Sequence, residues 1–159
     1  MSSSKDLQDG AVRLLKEPRA LVQPDGTTVT IPALTCGVVA RRDKELKSEI
    51  EQAIANFGIC VQVFPPLPTS ALQRQQNFVF FDGAKLTVRI FETPAANKTG
   101  KDCYEVLDNV ALLLHFTNPG GVCAAPMMLA KGPCAMVESP TQRIIDVFFT
   151  AVYQLNGTP

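Results

Sequence analysis

The sequence has no tryptophan, a single histidine and no surplus charge of either sign, with 15 Lys and Arg against 15 Asp and Glu in 159 residues. A diffuse electrostatic hold on nucleic acid or on an anionic membrane needs excess positive charge, often gathered in a stripe. The balance is also local: residues 1–56 carry eight bases and eight acids and residues 57–159 carry seven of each, so no basic half is masked by an acidic one. Long apolar runs are missing as well. Val110–Leu114 and Val147–Phe149 fall far short of the ~20 residues of a membrane span, and the opening Met-Ser-Ser-Ser-Lys-Asp has no apolar signal core. A soluble chain that does not follow the usual secretion route is therefore expected.

The scarcity of histidine restricts the chemistry. Any Ser/His/Asp or Cys/His arrangement would have to pass through His115, which follows Leu112-Leu113-Leu114 and reads as the cationic end of a helix. The five cysteines, Cys36, Cys60, Cys103, Cys123 and Cys134, are odd in number and contain no Cys-x-x-Cys pair, which speaks against a disulfide framework or a zinc knuckle and for a reducing compartment. His115 with Cys123 and Cys134 would make a three-ligand metal set, but their spacing is that of no zinc motif. Dinucleotide, P-loop, zincin and nucleophile-elbow motifs are all missing. Asn118-Pro119-Gly120-Gly121 follows a helix instead of opening one, so it has no phosphate-holding helix N-terminus. No catalytic residue, metal or cofactor is expected. What 46% hydrophobic and 19% charged residues do describe is an ordinary folded domain.

Aromatic residues are absent before Phe57, and residues 1–40 read as an extended N-terminal arm ahead of a single domain over 41–159. The arm holds a short helix near Leu7–Lys16 interrupted by Gly10, the turn Pro24-Asp25-Gly26 and a short strand at Thr27–Ile31. From Arg41 the period becomes helical: Leu46, Ile50, Ala53, Ile54 and Phe57 share one stripe, Asp43 stands near the start, and Gly58 supplies the stop. Ile59–Phe64 reads as a strand ended by Pro65-Pro66-Leu67-Pro68, and residues 65–77 as a loop or hairpin tip. Phe78–Phe81 and Lys85–Phe91 read as two strands joined by an Asp82-Gly83 turn, followed by a second polar loop over 92–102. A second helix runs from Cys103, with Asp102 as N-cap and Glu105 completing a capping box. Arg143–Leu155 is apolar on both faces, as in a central strand covered on each side. Asp146 within it needs a partner, for which Arg89 and Arg143 are both suitable. The expected fold is α+β: a mostly antiparallel sheet of about four strands with two helices packed on it, plus the arm.

Three stretches together resemble the tail-terminator and tail-completion proteins of long-tailed bacteriophages. They are Arg41–Ile54 running into Gly58-Ile59-Cys60-Val61-Gln62-Val63, then Thr87–Asn97, then a helix ending Leu112-Leu113-Leu114-His115. Arg89, Glu92, Pro94, Asn97, Leu114 and His115 occupy the strand-end, loop and helix-end positions that carry the likeness. The resemblance implies a structural virion protein of the tail or neck, forming a ring, commonly a hexamer, that caps the tail tube and joins it to the head. Its implied partners are itself, the tail-tube protein and the head-connector proteins, with no specific nucleic acid and no membrane. Neutral net charge permits such self-association, and long loops on a small core suit subunit contact. Arg41, Arg42, Lys44, Leu67, Arg74, Glu92, Asn97 and Lys98 are the candidate subunit-interface residues. The competing expectations are another neck subunit, a small α+β enzyme or ligand-binding domain using Cys60, Cys123 or His115, and a regulator that binds a host protein through residues 65–77.

Overall fold

A computed structural model describes residues 3–41, 46–69, 72–75, 78–130 and 134–155, with the backbone alone described at 3, 46, 72–75, 78–82 and 153–155. The chain order is α1 (Ser3–Leu15), β1 (Arg19–Val22), β2 (Thr28–Ile31), β3 (Gly37–Ala40), α2 (Leu46–Phe57), β4 (Ile59–Val63), β5 (Leu67–Pro68), β6 (Leu72–Gln75), β7 (Phe78–Glu92), α3 (Cys103–Leu114), β8 (Met128–Leu129), β9 (Ala135–Glu138) and β10 (Arg143–Leu155). β1 and β2 form a separate antiparallel hairpin, while the other described strands make one eight-stranded sheet.

That sheet is five strand-widths across. β7 lies at its centre, flanked on one side by β10 and on the other by the broken run β4, β5, β6, and β8 and β9 continue the sheet beyond β10. β3 pairs with β4 in parallel, because the chain crosses between them through α2, so the sheet is mixed. The expected four-strand, mostly antiparallel sheet with two helices is thereby corrected to three α-helices and a wider mixed sheet among the described residues.

The N-terminal region departs furthest from its expected form. Leu7, Ala11 and Leu15 of α1 are fully buried in the same cluster as Val88 and Ile90 of β7 and Val147 and Phe149 of β10, and Val38 of β3 joins them. These residues belong to the core and not to an extended arm. Gly10 does not break the helix either. A Cβ there would stand 2.0 Å from the Gly120 backbone nitrogen, so residue 10 must be glycine for the Pro119–Gly121 turn to pack on α1. Gln8, also buried, donates from Nε2 to the Arg41 and Val63 carbonyls at 3.1 and 2.7 Å, tying α1 to the ends of β3 and β4.

Two further expectations change for local reasons. Asp82-Gly83 is not a hairpin turn: β7 runs straight through it, and the β7–β10 register shifts there, Ala84 facing Ala151 but Phe81 facing Tyr153. Glycine in a strand marks a bulge as readily as a turn. Residues 65–77 are partly strand: Leu67–Pro68 and Leu72–Gln75 pair along β7, and the Gln75–Phe78 pairing makes β6 and the start of β7 a hairpin, one of the two forms expected, with residues 70–71 and 76–77 outside the described residues. Along β10, Ile145, Val147, Phe149 and Ala151 are buried, while Ile144, Asp146, Phe148 and Val152 are half-exposed and Thr150 is exposed. Helices α1 and α3 pack on the first face, while the second is half-exposed instead of being covered as expected.

α3 begins as expected. Asp102 Oδ1 accepts from the Tyr104 and Glu105 amides at 3.0 and 2.9 Å, and Glu105 accepts from the Asp102 amide at 3.2 Å. Its other end is closed from a distance: the Arg19 guanidinium, on β1, donates to the Leu112, His115 and Phe116 carbonyls at 2.8, 2.6 and 3.5 Å.

Candidate functional site

The open face of the sheet carries a charged stack. Arg89 and Asp146 stand directly opposite each other on β7 and β10, and the guanidinium holds the carboxylate in bidentate fashion, Nε to Oδ1 at 2.7 Å and Nη2 to Oδ2 at 2.9 Å. Of the two partners open to Asp146, Arg89 is thus the one used. Two guanidiniums stack on the Phe64 ring, Arg41 at 4.7 Å and Arg89 at 5.0 Å from its centroid. The hydrogen bond to Asp146 raises the Arg89 pKa above its ordinary value.

A second cluster sits at the other end of β4. Glu92 is 1% exposed and accepts from Asn97 Nδ2 at 2.7 Å and, more loosely, from Arg143 Nη1 at 3.4 Å, while Arg143 Nε reaches Glu138 Oε1 at 3.0 Å. Asn97 also donates to the Lys101 carbonyl and accepts from the Thr99 amide and hydroxyl, so the 92–102 segment is tied to itself. Burial, then the neighbouring Glu92 charge, push the Cys103 thiol up to about 11.

The candidate interface residues therefore divide. Glu92 and Asn97 come together, but inside the subunit, where Glu92 is committed to intramolecular bonds. Lys98 is exposed beside them, its amide bound to the Phe57 carbonyl at 3.0 Å. Arg41 is exposed at the end of β3, and Leu67, 60% exposed, lies on β5 opposite Lys85. For Arg74 only the backbone is described, opposite Val79, and Arg42 and Lys44, with Asp43, lie outside the described residues.

The two thiols named as candidate nucleophiles, Cys60 and Cys123, are both buried. A nucleophilic thiol needs a lowered pKa. Burial shifts Cys60 up to about 12 and Cys123 up to about 11. His115 Nδ1 accepts from the Leu129 amide at 2.9 Å, placing it as a joint between the end of α3 and β8. Of residues 65–77, offered above as a host-binding loop, Leu67–Pro68 and Leu72–Gln75 are held in the sheet.

A different feature is more conspicuous, and the sequence reasoning missed it. On α3, β8 and β9, and just past α3, large apolar side chains are left uncovered: Leu112 43% and Phe116 60% exposed, with Leu129 37% and Met136 50% on the face of the sheet that bears α1 and α3 and Met128 42% and Val137 65% on the other. Tyr104 joins them, its hydroxyl 3.6 Å from the Met136 sulfur. Phe116 has φ +58°, a left-handed conformation costly for any residue with a Cβ and usually filled by glycine at a helix end. Here that conformation presents an aromatic ring to solvent. Uncovered large apolar side chains gathered at one margin of a sheet are candidates for a contact site.

No protein-family model matches the chain and no curated protein matches it significantly. No helix among the described residues is long and apolar enough to cross a membrane.

Proposed function

We propose that the chain is a structural subunit of a bacteriophage tail or neck, similar to tail terminators, that acts by assembling into a homo-oligomeric ring between tail tube and head. Its work is contact, not catalysis, and its place is the virion. The observation that carries this reading is the set of uncovered apolar side chains on and beside α3, β8 and β9, which a second copy would cover. Neutral net charge lets copies approach without mutual repulsion. Purified protein should show rings by negative-stain electron microscopy, and antibody to the chain should label the tail–head junction of purified virions. A chain that is missing from purified virions would refute the assignment.

A further inference from the structure

Helices packed side by side on one face of a sheet stand about 10 Å apart, roughly the width of two strands. On the face that carries Arg89 and Phe148 one such place is filled, by α2 over β3 and β4. A Cβ at Gly37 would stand 2.5 Å from the Ala53 Cβ of α2, and the register leads from that side of Gly37 through Cys60 and Phe91 to Ile144. The next place, over β7 and β10, holds no helix among the described residues. Lys85, Thr87, Ile144 and Phe148 are half-exposed on its floor. Its rim is apolar, because Leu67 opposite Lys85, Met128 opposite Thr150 and Val137 opposite Ile144 lie on the same side of the sheet and are all exposed. Arg89 and Asp146 neutralise each other there. Lys85, its Nζ 4.7 Å from the Phe148 ring centroid, has no carboxylate partner among the described residues.

The chain itself supplies a helix that fits this place. Among the described residues α3 is the helix that leaves large apolar side chains exposed, Tyr104 and Leu112. Its inward stripe, Cys103, Val106, Val110 and Leu113, is buried, while Tyr104, Asp108 and Leu112 follow one another outward at i,i+4 spacing. No Lys or Arg occurs in α3, and exposed Asp108, in the middle of the outward stripe, makes no salt bridge among the described residues. A carboxylate without a cation on one side of the molecule thus matches a cation without a carboxylate on the other, each set among uncovered apolar side chains.

We infer that the outward side of α3 of one copy lies beside α2 on the sheet of the next, over β7 and β10, with Asp108 against Lys85. The inference rests on the ring reading above and supplies its geometry. The two surfaces differ, so the contact repeats head to tail, as a ring requires. α3 is then covered on both sides, by its own sheet beneath and by the next copy's sheet above, and the half-open sheet gains a second layer. Apolar contact through Tyr104, Leu112 and Phe148 gives the affinity, and the ion pair fixes the register and rejects other occupants.

Exchange of charge tests the pairing. In sedimentation velocity on the full chain, Asp108→Lys and Lys85→Glu each bring like charges together and should raise the concentration needed for assembly by about tenfold or more. The double variant restores an opposite pair and should assemble as the unaltered protein does. Leu112→Arg, which puts a charge into the apolar contact, should remain the 17.2 kDa monomer. Far-ultraviolet circular dichroism verifies folding. Should a charge-reversed chain unfold, Asp108→Asn and Lys85→Gln take its place, and once one of them has weakened assembly the other should add nothing. Folded single variants or a Leu112→Arg chain that assemble unchanged, or a double variant no better than the singles, would overturn the α3 contact and leave the ring standing. An unaltered protein that is itself monomeric would overturn both.

Discussion

Phe116 is the residue at which local conformation and surface chemistry conflict most plainly. Its positive φ is the conformation glycine takes at a helix C-terminus, yet a ring 60% exposed is held there. Strained backbone persists where its surroundings demand it and is a pointer to function. Phe116→Gly should relieve the strain and raise the unfolding free energy of the isolated chain by up to about 1 kcal/mol. The same change should weaken self-association by about tenfold, as loss of a central aromatic anchor does. Denaturant titration and sedimentation measure the two effects separately, and a variant that is less stable, or associates unchanged, would remove Phe116 from the contact surface. Arg89 and Asp146 were readable at this scale, because a carboxylate on an apolar strand must find a cation. Phe116 was not, since sequence shows that a residue is apolar but not that it is left uncovered.

At the scale of elements, what could be read depended on distance along the chain. The Asp102–Glu105 capping box is complete within four residues and forms as expected. α1 was obscured by Gly10, whose reason lies in the Pro119–Gly121 turn, more than a hundred residues on. The Asp82-Gly83 bulge carries the same dipeptide signal as a hairpin turn, and only the pairing partners distinguish them. β5 and β6 are short, and β6 is polar, so nothing but their position along β7 makes them strands. Gly10→Ala tests the first of these. In a free helix alanine is better than glycine by about 1 kcal/mol, but here the added Cβ meets backbone at 2.0 Å. The variant should lose about 3 kcal/mol and melt roughly 10 °C lower. A rise in melting temperature would contradict the packing of α1 on the 119–121 turn. Arg19→Ala should cost about 1–2 kcal/mol by stripping the cap from α3. Hydrogen exchange at the last turn of α3 should accelerate more than in the β7–β10 ladder, and uniform acceleration would argue against a local cap.

For the whole molecule, the core and the proposed assembly make separate predictions. Four thiols sit inside the subunit, and burial is the first cause of each raised value: Cys36, Cys103 and Cys123 are pushed up to about 11 and Cys60 to about 12. In the unfolded chain a thiol ionises near 9.0. Below that pH both states hold the proton and the thiols' contribution is fully present. As pH rises from 9 toward 11 the unfolded state releases protons the folded state keeps, so stability falls, by at most about 1.4 kcal/mol per thiol per pH unit. Urea midpoints measured across this range should decline, and the decline should lessen when buried cysteines are replaced by alanine. A flat profile would mean the thiols are not shielded. The measurement that tests this account most directly is the native mass of the purified chain over a wide concentration range. A closed oligomer, six times the 17.2 kDa chain mass in the form the family resemblance implies, is the predicted result, and a strict monomer at the highest concentration would contradict it.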